Sequence, residues 1–592
     1  MKLLPKNKKA LIKAAMGQIE SDLLIKNIQL VNVITGEIYP ANVYVHEGFI
    51  AHVEEGELKE ETPLAKKIID GKGSYLIPAF IDTHVHIESS MMTPRNFAKA
   101  IIPKGTTTIV TDPHEIANVF GVRGFRYMYD SSENLPMRQL LDIPSCVPSL
   151  PGLENNGATI TAKEVEELAP LPRVIGLAEV MDYIGVINGD DRMLDIIDVA
   201  EKHGLYLQGH APYLSGRGLS AYLCGGPNTC HESTTPGEAL EKLRKGMFVD
   251  ARNSSIARNV KEIWEGVKEV KFFDHFSFCT DDREADDILN DGHINDVVRY
   301  GIEQGMDPVT AIKSGTLNSA RESHIENLGA IAPGYAADMI ILDDLKTLIP
   351  KQVFFGGTLV AENDQLLVDI PDKAYPLEQE NSVHIGDLKE EDFLIKVATK
   401  EKEVEVNILS YPLLDQPITT LESEILPVVD GHLSLAGRSD LQFVAVVNRY
   451  EDHSNIGLGI VKNFGSHCGA LASTVSHDSH NLTIVYENPK DALLAALELK
   501  KSHGGMSAVK DGEVLHTLAL PLAGLMSLKG AEELAIDSAK MKEANRALGL
   551  TIKNPLLRIV TLALPVIPDV KMSDLGLVDV LEKKLIPILK EK

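Results

Sequence analysis

Residues Phe80–Ser90 read FIDTHVHIESS, an apolar segment that ends with two histidines, His84 and His86, on either side of one valine. A strand has a period of two, so both imidazoles lie on one face and Val85 lies on the other. Two nitrogens from such neighbouring positions can hold one metal ion. HxH alone is weak, and two packed core histidines would read the same way. The residues further along the chain decide between the two.

Beyond Ser90 the chain alternates. Short apolar strands are expected at Thr106–Asp112 (TTTIVTD), Arg173–Val180 (RVIGLAEV), Leu205–His210 (LYLQGH), Met247–Arg252 (MFVDAR) and Phe276–Asp281 (FSFCTD). Helical patterns lie between them, at Arg192–Gly204 and Ser255–Val270. Strand–helix alternation over about 250 residues predicts an α/β chain with a (β/α)8 TIM-type barrel. A doubly wound open sheet is the alternative, but no GxGxxG follows a first strand and there is no Walker loop.

The flanks read differently. Leu23–Val53 and Gly329–Glu362 alternate apolar and polar residues between turn signals. These two β-rich pieces are expected to pair into one small domain built from both sides of the barrel. The expected boundaries are 1–77 and 326–376 for this composite β-domain, 78–325 for the barrel, and 377–592 for a C-terminal α+β domain. The last begins with alternating strands such as TKEKEVEVN (399–407) and carries a helical DALLAALELKKSHG.

Bulk properties exclude several functions. The 592 residues suit two to four domains. A formal charge of −27 argues against nucleic-acid or anionic-membrane partners, because polyanions are repelled. Five cysteines without a CxxC pair suit a reducing, cytoplasmic setting. The N-terminus has no apolar signal core, and TLALPLAGLMSL and IVTLALPVIP are too short and Pro-rich to span a bilayer.

In a barrel, chemistry sits at the C-terminal strand ends. Besides His84 and His86, those ends carry Glu179, His210, His231-Glu232 and Asp281-Asp282. Each has a structural reading: Glu179 in a barrel-end ion pair, His210 capping a loop, His231 and Glu232 in a solvated turn, Asp281 as a helix N-cap. One shared cause accounts for all of them more simply. Four His, one Glu and one Asp suit two divalent cations bridged by a carboxylate.

The segments PAFIDTHVHIESSMMTP, GTTTIVTDPHEIANVFG, IGLAEVMD, GHAP, CHEST, CTDDR and GAIAPGYAADMIILDD together resemble the amidohydrolase superfamily. SSMMTP, TDPHEIANV and the C-terminal part with SHDSHN (476–481) are similar, more specifically, to the adenine deaminases of bacteria and archaea. The resemblance covers nearly the whole chain. It implies hydrolysis of adenine to hypoxanthine and ammonia in purine salvage, two divalent ions (Mn, Fe or Zn), and a homodimer or larger homo-oligomer. It implies that His84, His86 and Asp281 hold one ion, His210 and His231 the other, and that Glu179 bridges them where many superfamily members use a carboxylated lysine.

The remaining roles are expectations of the same kind. Asp281 is placed to accept a proton from the attacking water and pass it to ring N1 or the leaving amine. A second group should help protonate N1, either Glu232 or the Asp112/His114/Glu115 cluster. Asp112, His114, Glu115 and Asp282 are the expected substrate-binding residues, with helix capping the alternative for Asp112 and Asp282. His477, Asp478 and His480 read as a solvated turn, with closure over the site as the other option. Cys230 and Cys279 read as small packing residues. His86-Ile87-Glu88 mimics half of the zinc nucleobase deaminase signature, but PCxxC is absent.

Two rivals remain. Another amidohydrolase (a cytosine or guanine deaminase, a dihydroorotase or a hydantoinase) would share the ligands, because pocket contacts set the substrate. A non-catalytic barrel would be expected to have lost ligands, and none of the six is missing.

Overall fold

The computed structural model describes residues 1–592 except 59–64, 413–417, 451–453, 553, 568 and 591–592. Its centre is a closed ring of eight parallel strands: β1 (Phe80–Val85), β2 (Thr106–Thr111), β3 (Arg138–Ile143), β4 (Val174–Val180), β5 (Tyr206–Gly209), β6 (Thr229–Cys230), β7 (Phe248–Arg252) and β8 (Phe276–Cys279). β1 to β5 pair in sequence order, and so do β6 to β8.

Two seams close the ring. Asn228 N donates to Leu207 O at 3.3 Å across β5 and β6. Asp281 N donates to His84 O at 2.9 Å, and His86 N to Asp281 O at 3.3 Å, joining the end of β8 to β1. The open-sheet alternative is therefore excluded. Every residue of β1 and β2 is buried, as expected for a parallel strand covered on both faces, and TTTIVT supplies the β-branched side chains that favour it.

Helices cover the outside. Asp191–Lys202 is N-capped by Asp190, whose carboxylate accepts from Met193 N. The helix expected over Ser255–Val270 is shorter, Val260–Val267. Ser254 Oγ takes the N–H groups of Ile256 and Ala257 at 3.2 and 2.8 Å, a local bond that competes with helix. Asn259 then accepts from Arg252 N and donates to His231 O and Ser233 O, which pins residues 253–259 over the barrel mouth.

The strands before and after the barrel form one nine-stranded sheet, joined where Tyr75–Pro78 pairs antiparallel with Met339–Leu342. A second nine-stranded sheet lies in the C-terminal region, with helices Pro489–Lys501 and Ala531–Ala547. This region docks on the barrel. Ser527 N donates to Met91 O, Asn96 Nδ2 reaches Leu528 O and Lys529 O at 3.0 Å, and Lys542 pairs with Glu284 and Asp286 at 2.7 Å. One apolar core runs through both parts, from Met91 and Ile116 to Leu522 and Leu562. No helix among the described residues is long and apolar enough to cross a membrane.

Candidate metal centre and substrate pocket

The six expected ligands converge at the C-terminal mouth of the barrel, all buried. His86 Nε2 lies 3.4 Å from Glu179 Oε1 and 3.3 Å from Asp281 Oδ1. His84 Nε2 lies 3.8 and 3.6 Å from the same two oxygens. The other oxygen of Glu179 faces His210 Nδ1 at 2.5 Å and His231 Nε2 at 3.3 Å. Glu179 thus turns one oxygen to each pair of histidines.

These spacings suit metal binding. Four ligands at 2.0–2.2 Å around one ion stand about 3.3–3.6 Å apart at a tetrahedron's edges. His84 and His86 each also have the other nitrogen engaged: His84 Nδ1 with Gln208 Oε1 and His86 Nδ1 with Asp112 O, both at 2.9 Å. Those acceptors hold the proton on Nδ1 and turn the Nε2 lone pairs inward. His84 Nε2, buried, has no hydrogen-bond partner among the described residues. An orphaned buried nitrogen aimed at two carboxylates fits a cation between them.

Electrostatics point the same way. Burial alone would lower the pKa of His84, but Asp281 and Glu179 outweigh it and lift the value to about 9. His86 is raised well above its ordinary value against the same burial. Burial opposes ionisation of Glu179 and Asp281, yet His210 and Arg252, respectively, lead in holding both well below the usual range. The centre calls for positive charge.

Sequence reasoning misses Arg252, at the end of β7. Its guanidinium touches Asp281 and lies 2.7 Å from Glu232. Strand-end position is the available signal, since MFVDAR ends where the other strands place ligands. Gln208, two residues before His210, is missed as well. Besides accepting from His84, it donates to Thr83 O at 2.7 Å and to Tyr206 Oη at 3.0 Å. Gln208→Leu should weaken metal affinity about 10- to 100-fold, the usual effect of losing the partner that orients a ligand. Activity at saturating metal should stay within a few-fold; metal titration of the apoprotein reads the difference.

A cavity of about 370 Å³ opens over the centre. Barrel residues His114, Glu115, Glu232, Arg252 and Asp282 line it. Ile418, Leu564, Val566 and Ile567 from the C-terminal region give it an apolar wall. Burial pushes the Glu232 carboxyl up, but Arg252 outweighs it and holds the group below the usual range. Asp282 accepts from Ser89 Oγ at 2.5 Å and caps no helix; burial and then Asp281 raise its pKa. Asp281 is no cap either, since Glu284 precedes the helix Ala285–Asn290. Asp112 stands behind the wall, where it accepts from His114 Nδ1 at 2.9 Å and His114 N at 3.1 Å. Glu88 of the HxE look-alike is buried on Ile116 N, away from the cavity lining. Cys230 and Cys279 are buried.

The solvated turn expected at 476–481 is overturned. His477, Asp478 and His480 are buried, and both histidines contact Glu115. His477 and Asp478 line the cavity. Their partners come from the barrel, which a local reading of SHDSHN does not contain.

Comparison with known proteins agrees. Residues 75–360 match the Amidohydrolase family, and residues 416–584 match the Adenine deaminase C-terminal domain. The chain is 40% identical to adenine deaminase 2 of Carboxydothermus hydrogenoformans, covering 98% of this chain and 99% of that one. It is 37% identical to the adenine deaminase of Kosmotoga olearia, covering 98% of both chains. To the adenine deaminase of Moorella thermoacetica it is 39% identical, over 98% of this chain and 97% of the relative. With buried histidines and carboxylates gathered at the barrel mouth, a C-terminal region folded over it and full-length similarity of this order, the chain belongs to the adenine deaminase family of amidohydrolases.

Proposed function

We propose that this chain hydrolyses adenine to hypoxanthine and ammonia, using two divalent ions, Mn, Fe or Zn, held by His84, His86, His210, His231, Glu179 and Asp281. The observation that carries the reading is Glu179, with one oxygen toward each histidine pair beneath a cavity with an apolar wall. When bound, the ions supply the acidity that water lacks at neutral pH, lowering its pKa from 15.7 to about 7.

The chain's own groups do the rest. Asp281, kept anionic by Arg252, takes the proton released when water adds to C6 and delivers it toward N1 or the departing amine. Glu232, whose carboxyl the same arginine holds below the usual range, draws a proton onto N1 by favouring its cationic form. Asp282, which lines the cavity beside Asp281, faces the purine edge, and His114 and Glu115 form the adjoining wall. Asp112 acts through His114 by fixing its tautomer. The leucine, valine and isoleucine side chains of the C-terminal region suit the flat faces of a purine and exclude water. The five free thiols support a reducing, cytoplasmic setting, and family resemblance supports a homodimer or larger assembly, which sedimentation velocity reads.

After reconstitution with Mn, Fe or Zn, ammonia should be released from adenine. Rates with cytosine, guanine and dihydroorotate should be at least ~100-fold lower, because a site built for one pattern of hydrogen bonds rejects the others. A preference for any of these would assign the chain to another amidohydrolase activity. Absence of tightly bound divalent metal would favour a non-catalytic barrel.

A further inference from the structure

We propose that a further divalent cation binds beside the centre, between the barrel and the C-terminal region, held by His114 Nε2, Glu115 Oε1, His477 Nδ1 and Asp478 Oδ1. None of these belongs to the six ligands above. All four residues are buried, and their four atoms lie within 4.8 Å of one another.

Three of the separations are those of ligands rather than of hydrogen bonds. His114 Nε2 stands 3.5 Å from Glu115 Oε1 and 3.8 Å from Asp478 Oδ1, and His477 Nδ1 stands 3.9 Å from Asp478 Oδ1. N–H···O bonds close to 2.7–3.2 Å. The separations of 3.3–3.8 Å among the atoms of the first centre are the nearer match. The one close contact, His477 with Glu115, has its counterpart there in His210 with Glu179.

The outer partners are arranged as metal ligands require. Asp112 accepts from His114 Nδ1, so a proton sits there and Nε2 is the nitrogen left facing two carboxylate oxygens. His480 Nδ1 accepts from Ser476 N at 3.2 Å, so its Nε2 carries the proton and donates to Glu115 Oε2. That bond engages the outer oxygen and leaves Oε1 facing inward. Asp478 Oδ2 is buried with no hydrogen-bond partner among the described residues, a costly state for a carboxylate unless a cation compensates it.

Two ligands come from the segment after β2 and two from the 476–481 segment, so the ion would clamp the C-terminal region onto the barrel. His114 separates the two clusters, with Nδ1 3.7 Å from Glu179 Oε1.

The test is metal content of the full-length protein, reconstituted with Mn or Zn and passed over a desalting column, read by mass spectrometry without substrate. Asp478→Asn and His477→Ala should each bind one equivalent per chain fewer than wild type. The count of the unmodified protein should exceed by one that of a chain with only the first centre filled. Equal metal content in wild type and both variants would overturn the proposal. Because a variant can lose metal through misfolding, a Mn-soaked crystal of the unmodified protein gives the independent reading. An anomalous peak among the four atoms is expected, and a loaded first centre with no such peak would overturn it. Neither measurement depends on adenine turnover.

Discussion

Asp281→Asn should reduce kcat on adenine by about 10³-fold, within the 10²–10⁴ range typical of a lost proton-transfer group, while the protein stays folded. Asn keeps the shape and can still accept from Arg252, but it cannot take up a proton. The backbone bonds that close the barrel here, Asp281 N to His84 O and His86 N to Asp281 O, do not involve the side chain. Arg252 also retains Glu232 at 2.7 Å, so no guanidinium is stranded. The structural reason for Asp281 in particular is its position. Its φ of 56° is left-handed, which Asp tolerates better than most residues, and the turn aims the carboxylate at His84, His86 and Arg252 together. Steady-state kinetics with matched metal content check this. A variant within ten-fold of wild type would remove the proton-transfer role from Asp281.

His84→Ala should abolish measurable turnover, a loss of at least ~10³-fold, together with tight binding of one ion. The imidazole supplies the Nε2 that faces Asp281 and Glu179, an arrangement that His86 shares. The remaining histidine cannot complete the ligand set alone. The fold should survive, because the closing seam uses the His84 carbonyl, not its ring. Circular dichroism with metal analysis separates the outcomes: native spectrum and reduced metal are expected, whereas full metal content with full activity would dismiss His84 as a ligand.

Strand-end chemistry is the legible part of the site. His84 and His86 are visible because period two forces them onto one face, and Glu179, His210, His231 and Asp281 because each ends or follows an apolar strand. Arg252 ends β7 in the same way but does not stand out, since an arginine at a strand end also reads as an ordinary surface cation. Its partners lie 20 residues before it and 29 after it, at Glu232 and Asp281. The helical periodicity of Ser255–Val270 overruns the true helix because it ignores Ser254 and Asn259, whose side chains take backbone groups out of the helical ladder.

Local alternation of strands and helices determined the barrel and put imidazoles and carboxylates at its strand ends, because these patterns repeat within short windows; the family came from the resemblance of longer motifs such as TDPHEIANV. Only the tertiary structure decided what SHDSHN does. A histidine's burial and its partner are properties of the surface it docks against, and Glu115 lies 365 residues from His480. It also decided that the pocket takes one wall from the C-terminal region, since apolar residues that far along the chain meet the centre only once one core has formed across both parts.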